Sequence, residues 1–202
     1  MGKRKINKSW LIITGSLLFL IGTLLIFYDF YSTRKIKNDE ENAIQEYYKE
    51  ERKTKTLDDE IIQSKEEVSA NKINYIAILK IPKINLERGL VNPNSYLNNV
   101  NYNVEILDDS DMPNVENGNV ILAAHSGNSR ISYFKNLDKL DIGDEISIDY
   151  QNKIYTYKVT DKYLIEKTGT AEIIDNKNKN TLTLITCKHN TNNQIVIIAE
   201  LK

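Results

Sequence analysis

From Trp10 to Tyr28 the chain runs WLIITGSLLFLIGTLLIFY without one charged residue. About 20 apolar residues in a helix cross a hydrocarbon core of about 30 Å. A helix also satisfies its own backbone polar groups, which lipid demands. The stretch therefore commits the chain to a membrane helix with a folded part on one side of it. Trp10, Tyr28 and Tyr31 stand where interfacial aromatics belong, and Lys3, Arg4, Lys5 and Lys8 lie at the front. A cleavable signal peptide has a shorter apolar core, roughly 7–15 residues, and then a small-residue site. Here Ile26-Phe27-Tyr28-Asp29-Phe30-Tyr31 offers no such site. The reading is a basic cytoplasmic tail over 1–9 and an uncleaved, single-pass anchor over 10–28. Arg34, Lys35 and Lys37 follow on the far side, so the positive-inside bias is small. The short tail is placed inside and the C-terminal domain outside the cell.

Residues 29–72 form the next segment. From Ser32 to Lys72 it is charged and lacks Pro and Gly. Ala43, Ile44, Tyr47 and Tyr48, then Leu57, Ile61 and Ile62, give a broken helical spacing. It reads as a helical stalk that lays one face on the following domain. The charge runs are a solvated face.

Residues 73–202 make one domain of ordinary size. The whole chain has 27 Lys and Arg against 28 Asp and Glu, a net charge of −1, which leaves no electrostatic footprint for nucleic acid. There is no Gly-rich phosphate loop, paired-cysteine motif or zinc-type histidine pair, and no cofactor is expected. Asp108, Asp109, Asp111 and Glu116 supply oxygen donors, but their spacing matches no calcium loop, and no metal site is assigned.

The domain reads as mostly strand. Tyr75–Ile81 reads as a first strand stopped by Pro82, and Leu86–Val91 as a short second one that ends at Asn92-Pro93. Residues 95–104 are rich in Asn and read as irregular or as a helical turn. Val120–Ala124 is an apolar run that delivers His125. Ile131, Phe134, Leu137 and Leu140 predict a helix over 129–140, capped by Asn128 or Ser129. Residues 145–150 and 154–165 predict a hairpin around Gln151-Asn152-Lys153. A long connection over 166–180 leads to the strand Thr181–Cys187, and 194–201 is the last strand. Short strands with one helix point to a closed barrel or a sandwich.

Thr181–Cys187 alternates small polar and branched apolar residues, which predicts one face on a core and the other on a groove. It ends on the only cysteine in the chain. A lone cysteine is most often a small buried hydrophobe, and it excludes an internal disulfide. At a strand end it is held rigidly yet open to attack a substrate. His125 occupies the matching position at the end of another apolar strand, in the small-residue turn Ala124-His125-Ser126-Gly127. The thiolate is the attacking species, and a neighbouring imidazole can take the thiol proton or, once charged, hold the thiolate. The same ring can protonate a leaving amine and deprotonate an incoming one. Taken alone, His125 also fits a hydrogen-bonded histidine beside a turn. His189, two residues past Cys187, is a rival base in a polar loop.

Leu122-Ala123-Ala124-His125-Ser126-Gly127, followed by Tyr133-Phe134-Lys135-Asn136-Leu137 and Gly143-Asp144, resembles the histidine region of the sortases. Thr181-Leu182-Thr183-Leu184-Ile185-Thr186-Cys187 is similar to their cysteine strand, and residues 78–84 to their barrel entry. The likeness covers about 73–202 and by general pattern lies nearest the class A and class D branches. It implies a mainly β fold: a closed, eight-stranded sortase-type β-barrel with one or two short helices, behind a transmembrane helix and a stalk. It implies a cysteine transpeptidase of the outer face of a Gram-positive-type cell. Cys187 would attack the carbonyl after Thr in a sorting motif of the Leu-Pro-x-Thr-Gly type, forming a thioacyl-enzyme. His125 would serve as acid and then base. The acceptor amine would come from a peptidoglycan precursor or a pilin lysine. The connection 166–180 matches the loop that covers the motif in such enzymes.

One position departs from the resemblance. Gln194 stands at the start of the last strand, where sortases carry an arginine that binds the substrate carbonyl and its oxyanion. A glutamine amide donates hydrogen bonds but brings no charge. Gln194 acts as a weaker donor, or Arg130 or Lys188 supplies the cation, or the enzyme is impaired. Two other functions stay open on this ground: a module that binds the sorting peptide without cutting it, and a hydrolase in which water replaces the amine.

Overall fold

The computed structural model describes residues 8–56, 73–167 and 178–202. Helix α1 spans Lys8–Thr56. Among the described residues it is the one helix long and apolar enough to cross a membrane. Its exposed side chains include Leu18, Phe19, Leu24, Ile26 and Phe27, an outward face that lipid tolerates and water does not. The chain divides into two compact units, residues 1–41 and 42–202.

The second unit is built on eight strands: β1 (Tyr75–Ile81), β2 (Leu86–Val91), β3 (Glu105–Ile106), β4 (Asn119–Ala123), β5 (Glu145–Tyr150), β6 (Lys153–Glu166), β7 (Thr181–Cys187) and β8 (Asn193–Leu201). They form one sheet in the order β2-β1-β5-β6-β8-β7-β4-β3. Every pairing is antiparallel except β4 with β7, which is parallel. The sheet curls into a nearly closed barrel around Leu79, Leu90, Leu122, Ile148, Tyr157, Leu184 and Ile197, all at most 1% exposed.

Two asparagines manage the sheet's end strands. Asn98 Nδ2 donates to the Ile106 carbonyl and its Oδ1 accepts from the Ile106 N–H, both at 2.8 Å, so one side-chain amide stands in for a strand partner of β3. Asn103 Nδ2 donates to the Gly89 carbonyl of β2 at 3.0 Å. Edge groups satisfied in this way are closed to pairing with another chain. The irregular segment expected at 95–104 is thus the bridge across the barrel's gap.

Strands β1, β2, β5 and β7 coincide with the sequence reading, and β6 runs slightly longer. Both turn residues of the β5–β6 hairpin, Gln151 (φ 50°) and Asn152 (φ 62°), are left-handed, as a two-residue hairpin of matching twist requires. The helix expected over 129–140 is absent. The segment consists of turns with a single 3-10 turn at Leu137–Lys139. Phe134, Leu137 and Leu140 are all fully buried, a spacing of three that suits 3-10 geometry rather than 3.6 residues per turn. The N–H of Phe134 donates to the His125 carbonyl at 3.0 Å, a partner no α-helix would give it.

Within the second unit, Ala43, Ile44, Tyr47 and Tyr48 pack on the outer side of the barrel with Tyr75, Ile78, Val91 and Leu97. These four lie on one helical face. The Tyr47 hydroxyl lies 2.8 Å from Glu51 Oε1 and 3.1 Å from the Asp149 carbonyl. Tyr48 donates to Glu87 Oε1 at 3.0 Å. Leu57, Ile61 and Ile62, assigned to the same stalk, lie outside the described residues.

The Tyr75 ring lies flat on Gly89, so a Cβ at 89 would fall inside it. Gly89→Ala is expected to destabilise the domain by about 1–3 kcal/mol, the usual effect of overpacking a buried contact. Urea unfolding measures it; an Ala variant as stable as the parent would mean that the ring moves aside freely.

Burial pushes the Tyr48 phenol up to about 12 from 10.0, with the Lys80 hydrogen bond opposing and Glu87 adding to the rise. A raised pKa means the folded state holds this proton more tightly. The resulting stability is complete below pH 10 and is lost as pH rises through about 12. Alkaline titration of tyrosinate absorbance, with thermal melts along the series, is expected to show destabilisation in that window and less of it in Tyr48→Phe.

Candidate active site

The site starts from the hydrogen-bond register of three adjacent strands. In the parallel ladder of β4 and β7, Ala123 pairs with Ile185. The Ala124 N–H donates to the Ile185 carbonyl at 3.3 Å, and Thr186 Oγ1 donates to the Ala124 carbonyl at 2.7 Å. His125 and Cys187 each lie two residues past the Ala123–Ile185 pair, so their backbones are neighbours. On the other side, β7 and β8 pair Cys187 directly with Gln194. Opposed residues in an antiparallel pair share a face. Leu184 and its partner Ile197 point into the core; by alternation Cys187 and Gln194 point the other way. Cys187, His125 and Gln194 are all partly exposed.

The cysteine strand departs from its expected two-faced pattern. Thr181, Leu182, Thr183, Leu184, Ile185 and Thr186 are all buried, and only Cys187 emerges. Thr183 Oγ1 donates to Asn119 Oδ1 at 3.0 Å and Thr186 to Ala124. These hydroxyls are spent on tying β7 to β4, which lets both faces leave water. The thiol is the first side chain of the strand within a substrate's reach.

His189 and Lys188 are exposed in the tight β7–β8 loop, where the Lys188 N–H donates to the Asn193 carbonyl at 2.8 Å. Arg130 is exposed in the turn over 129–132. The register that joins His125, Cys187 and Gln194 includes none of these three. Asp111 of the acidic loop accepts from the Asn119 N–H at 3.0 Å, which anchors the start of β4. Among the described residues no cluster of His, Cys, Asp and Glu has the makings of a metal site. The middle of the 166–180 connection lies outside the described residues.

Sequence reasoning missed Asn101. Its Oδ1 lies 3.5 Å from His125 Nε2, at the outer limit of a hydrogen bond. The only local signal was the run of asparagines between Asn98 and Asn103.

A family model described as the sortase domain matches residues 79–202. This chain belongs to the sortase family. Membership implies a cysteine transpeptidase. Among solved structures, a Clostridium perfringens sortase D5 transpeptidase is 29% identical; the match covers 82% of this sortase and 97% of that chain, with a TM-score of 0.58. A lid mutant of sortase A from Corynebacterium diphtheriae is 22% identical over 63% of this chain and 70% of its own, with a TM-score of 0.57. Sortase C1 from Streptococcus agalactiae is 24% identical over 67% and 71%, with a TM-score of 0.56. The last two likenesses speak for the fold of this sortase. A comparison with curated proteins finds no match.

Proposed function

We propose that this sortase is a membrane-anchored transpeptidase, held by residues 10–28, with the domain over 73–202 outside a Gram-positive-type cell. It cuts a sorting motif of the Leu-Pro-x-Thr-Gly type in secreted proteins and joins them to an amine of a peptidoglycan precursor or a pilin. The observation that supports this reading is the register that ends β4 with Ala123 beside Ile185, two residues before His125 and Cys187, and that pairs Cys187 with Gln194.

The Cys187 thiolate adds to the carbonyl carbon after Thr. Electrons move onto the carbonyl oxygen, and Gln194, opposite Cys187, donates its amide hydrogens to that oxyanion. The C–N bond breaks as protonated His125 gives its proton to the leaving amine. The thioacyl-enzyme remains. The acceptor amine then attacks the thioester carbon, neutral His125 takes its proton, and the C–S bond breaks to restore the thiolate.

Incubation of the full chain in detergent micelles with a sorting peptide should give a thioacyl adduct on Cys187 by mass spectrometry. Added amine should turn the adduct into a joined product. Tight peptide binding with no adduct would make the domain a binding module, a reading that the neutral Gln194 favours. Product formation indifferent to added amine would make it a hydrolase.

Gln194→Ala is expected to lower kcat by roughly 10²-fold, the lower end of what a lost oxyanion donor costs. Gln194→Arg is expected to keep or raise kcat. Steady-state kinetics check both, and an unchanged Gln194→Ala enzyme would remove this residue from the mechanism.

A further inference from the structure

Arg88 lies on β2 between Leu86 and Leu90, on the face that those two turn toward the core. It is 5% exposed. Arginine is almost never this buried without partners. Its Nε donates to Asn103 Oδ1 at 2.6 Å, a short charge-assisted bond, and its guanidinium carbon sits 4.1 Å from the centre of the Tyr133 ring.

Each of these partners leads to His125 from a different side. Asn103 is itself 3% exposed and is fixed to β2 through the Gly89 carbonyl. Two residues before it, Asn101 Oδ1 faces His125 Nε2 at 3.5 Å. Tyr133 immediately precedes Phe134, whose N–H donates to the His125 carbonyl at 3.0 Å. The Tyr133 hydroxyl donates to the Tyr102 carbonyl at 3.4 Å, which ties the two segments to each other. One guanidinium therefore grips two stretches of chain that touch His125, one at its ring and one at its backbone.

We propose that Arg88 is a positioning residue for His125. It sets where the imidazole stands relative to Cys187, without touching substrate. The planar fork serves the amide oxygen and its π-face serves the ring at once, which a lysine ammonium cannot do. The proposal rests on His125 being the acid–base group.

The test uses the full chain in detergent micelles with a sorting peptide and an amine. Arg88→Met replaces the cation with an apolar chain of similar length. It is expected to fold, shown by a parental circular dichroism spectrum, to keep the peptide KM within about twofold, and to lose kcat by up to about 10²-fold, the scale of a small misplacement of a reacting group. The rate at which iodoacetamide alkylates Cys187 should change with it. Arg88→Lys should recover part of the lost kcat. A folded Arg88→Met enzyme with parental kcat, or one altered in KM alone, overturns the assignment. If Arg88→Met fails to fold, Tyr133→Leu removes the same grip from the other side and is judged by the same criteria. His125→Ala with parental kcat would instead overturn the underlying mechanism, whatever the Arg88 variants do.

Discussion

Cys187→Ala is expected to abolish transpeptidation. The chain has a single cysteine, so no second thiol can take over. The alanine methyl has no lone pair with which to attack a carbonyl, and the thioacyl path closes at its first bond. What remains is the acceleration from binding and the oxyanion donor, which without a nucleophile yields no joined product. Stability should hardly move, because Cys187 is partly exposed at the end of β7 and makes none of the ties to β4 that Thr183 and Thr186 make. A change within about 0.5 kcal/mol is expected. Product assays and thermal melts on the same preparation check both halves. Parental turnover in this variant would end the covalent mechanism.

His125→Ala is expected to lower kcat by about 10²–10⁴-fold, the range of a lost general acid–base group. On the proposed mechanism both half-reactions should slow, because the ring would deliver a proton to the leaving amine and later take one from the acceptor. Quenched samples should show slow growth of the thioacyl-enzyme as well as slow release from it. His189→Ala should leave turnover unchanged, since His189 lies exposed in the β7–β8 loop. A fall in His189→Ala to match that of His125→Ala would exchange the roles of the two histidines.

Much of the fold was legible because its signals are local. Tyr75–Ile81 and Leu86–Val91 combine strand-forming side chains with Pro82 and Asn92-Pro93 as stops, and β1 and β2 end at those bounds. The segment 129–140 was misread because a spacing of three fits both helix types over so short a run. The choice was made by the His125 carbonyl, which takes the Phe134 N–H. By alternation alone Thr183 belongs to the groove face, while Thr186 falls on the core face with Leu182 and Leu184. The partners of the two threonines, Asn119 and Ala124, lie 64 and 62 residues away, and with them both faces of β7 are buried. The Arg88–Asn103–Tyr133 grip was illegible for a related reason. Nothing in the neighbours of Arg88 tells a buried guanidinium from the solvated ones.

The amino-acid order by itself determined the inventory. It contains one uncharged run fit for lipid, one thiol, one imidazole at the end of an apolar run, and a glutamine at position 194. These are properties of single residues and short runs, and no neighbour in space can alter them. Only the tertiary structure decided that β4 lies parallel to β7 and that β8 pairs Cys187 with Gln194. Strand partners are chosen by burial and hydrogen bonding summed over the whole sheet, across separations that local propensity does not reach. That choice is what sets the backbone of Cys187 opposite Gln194 and next to the end of β4, from which His125 follows.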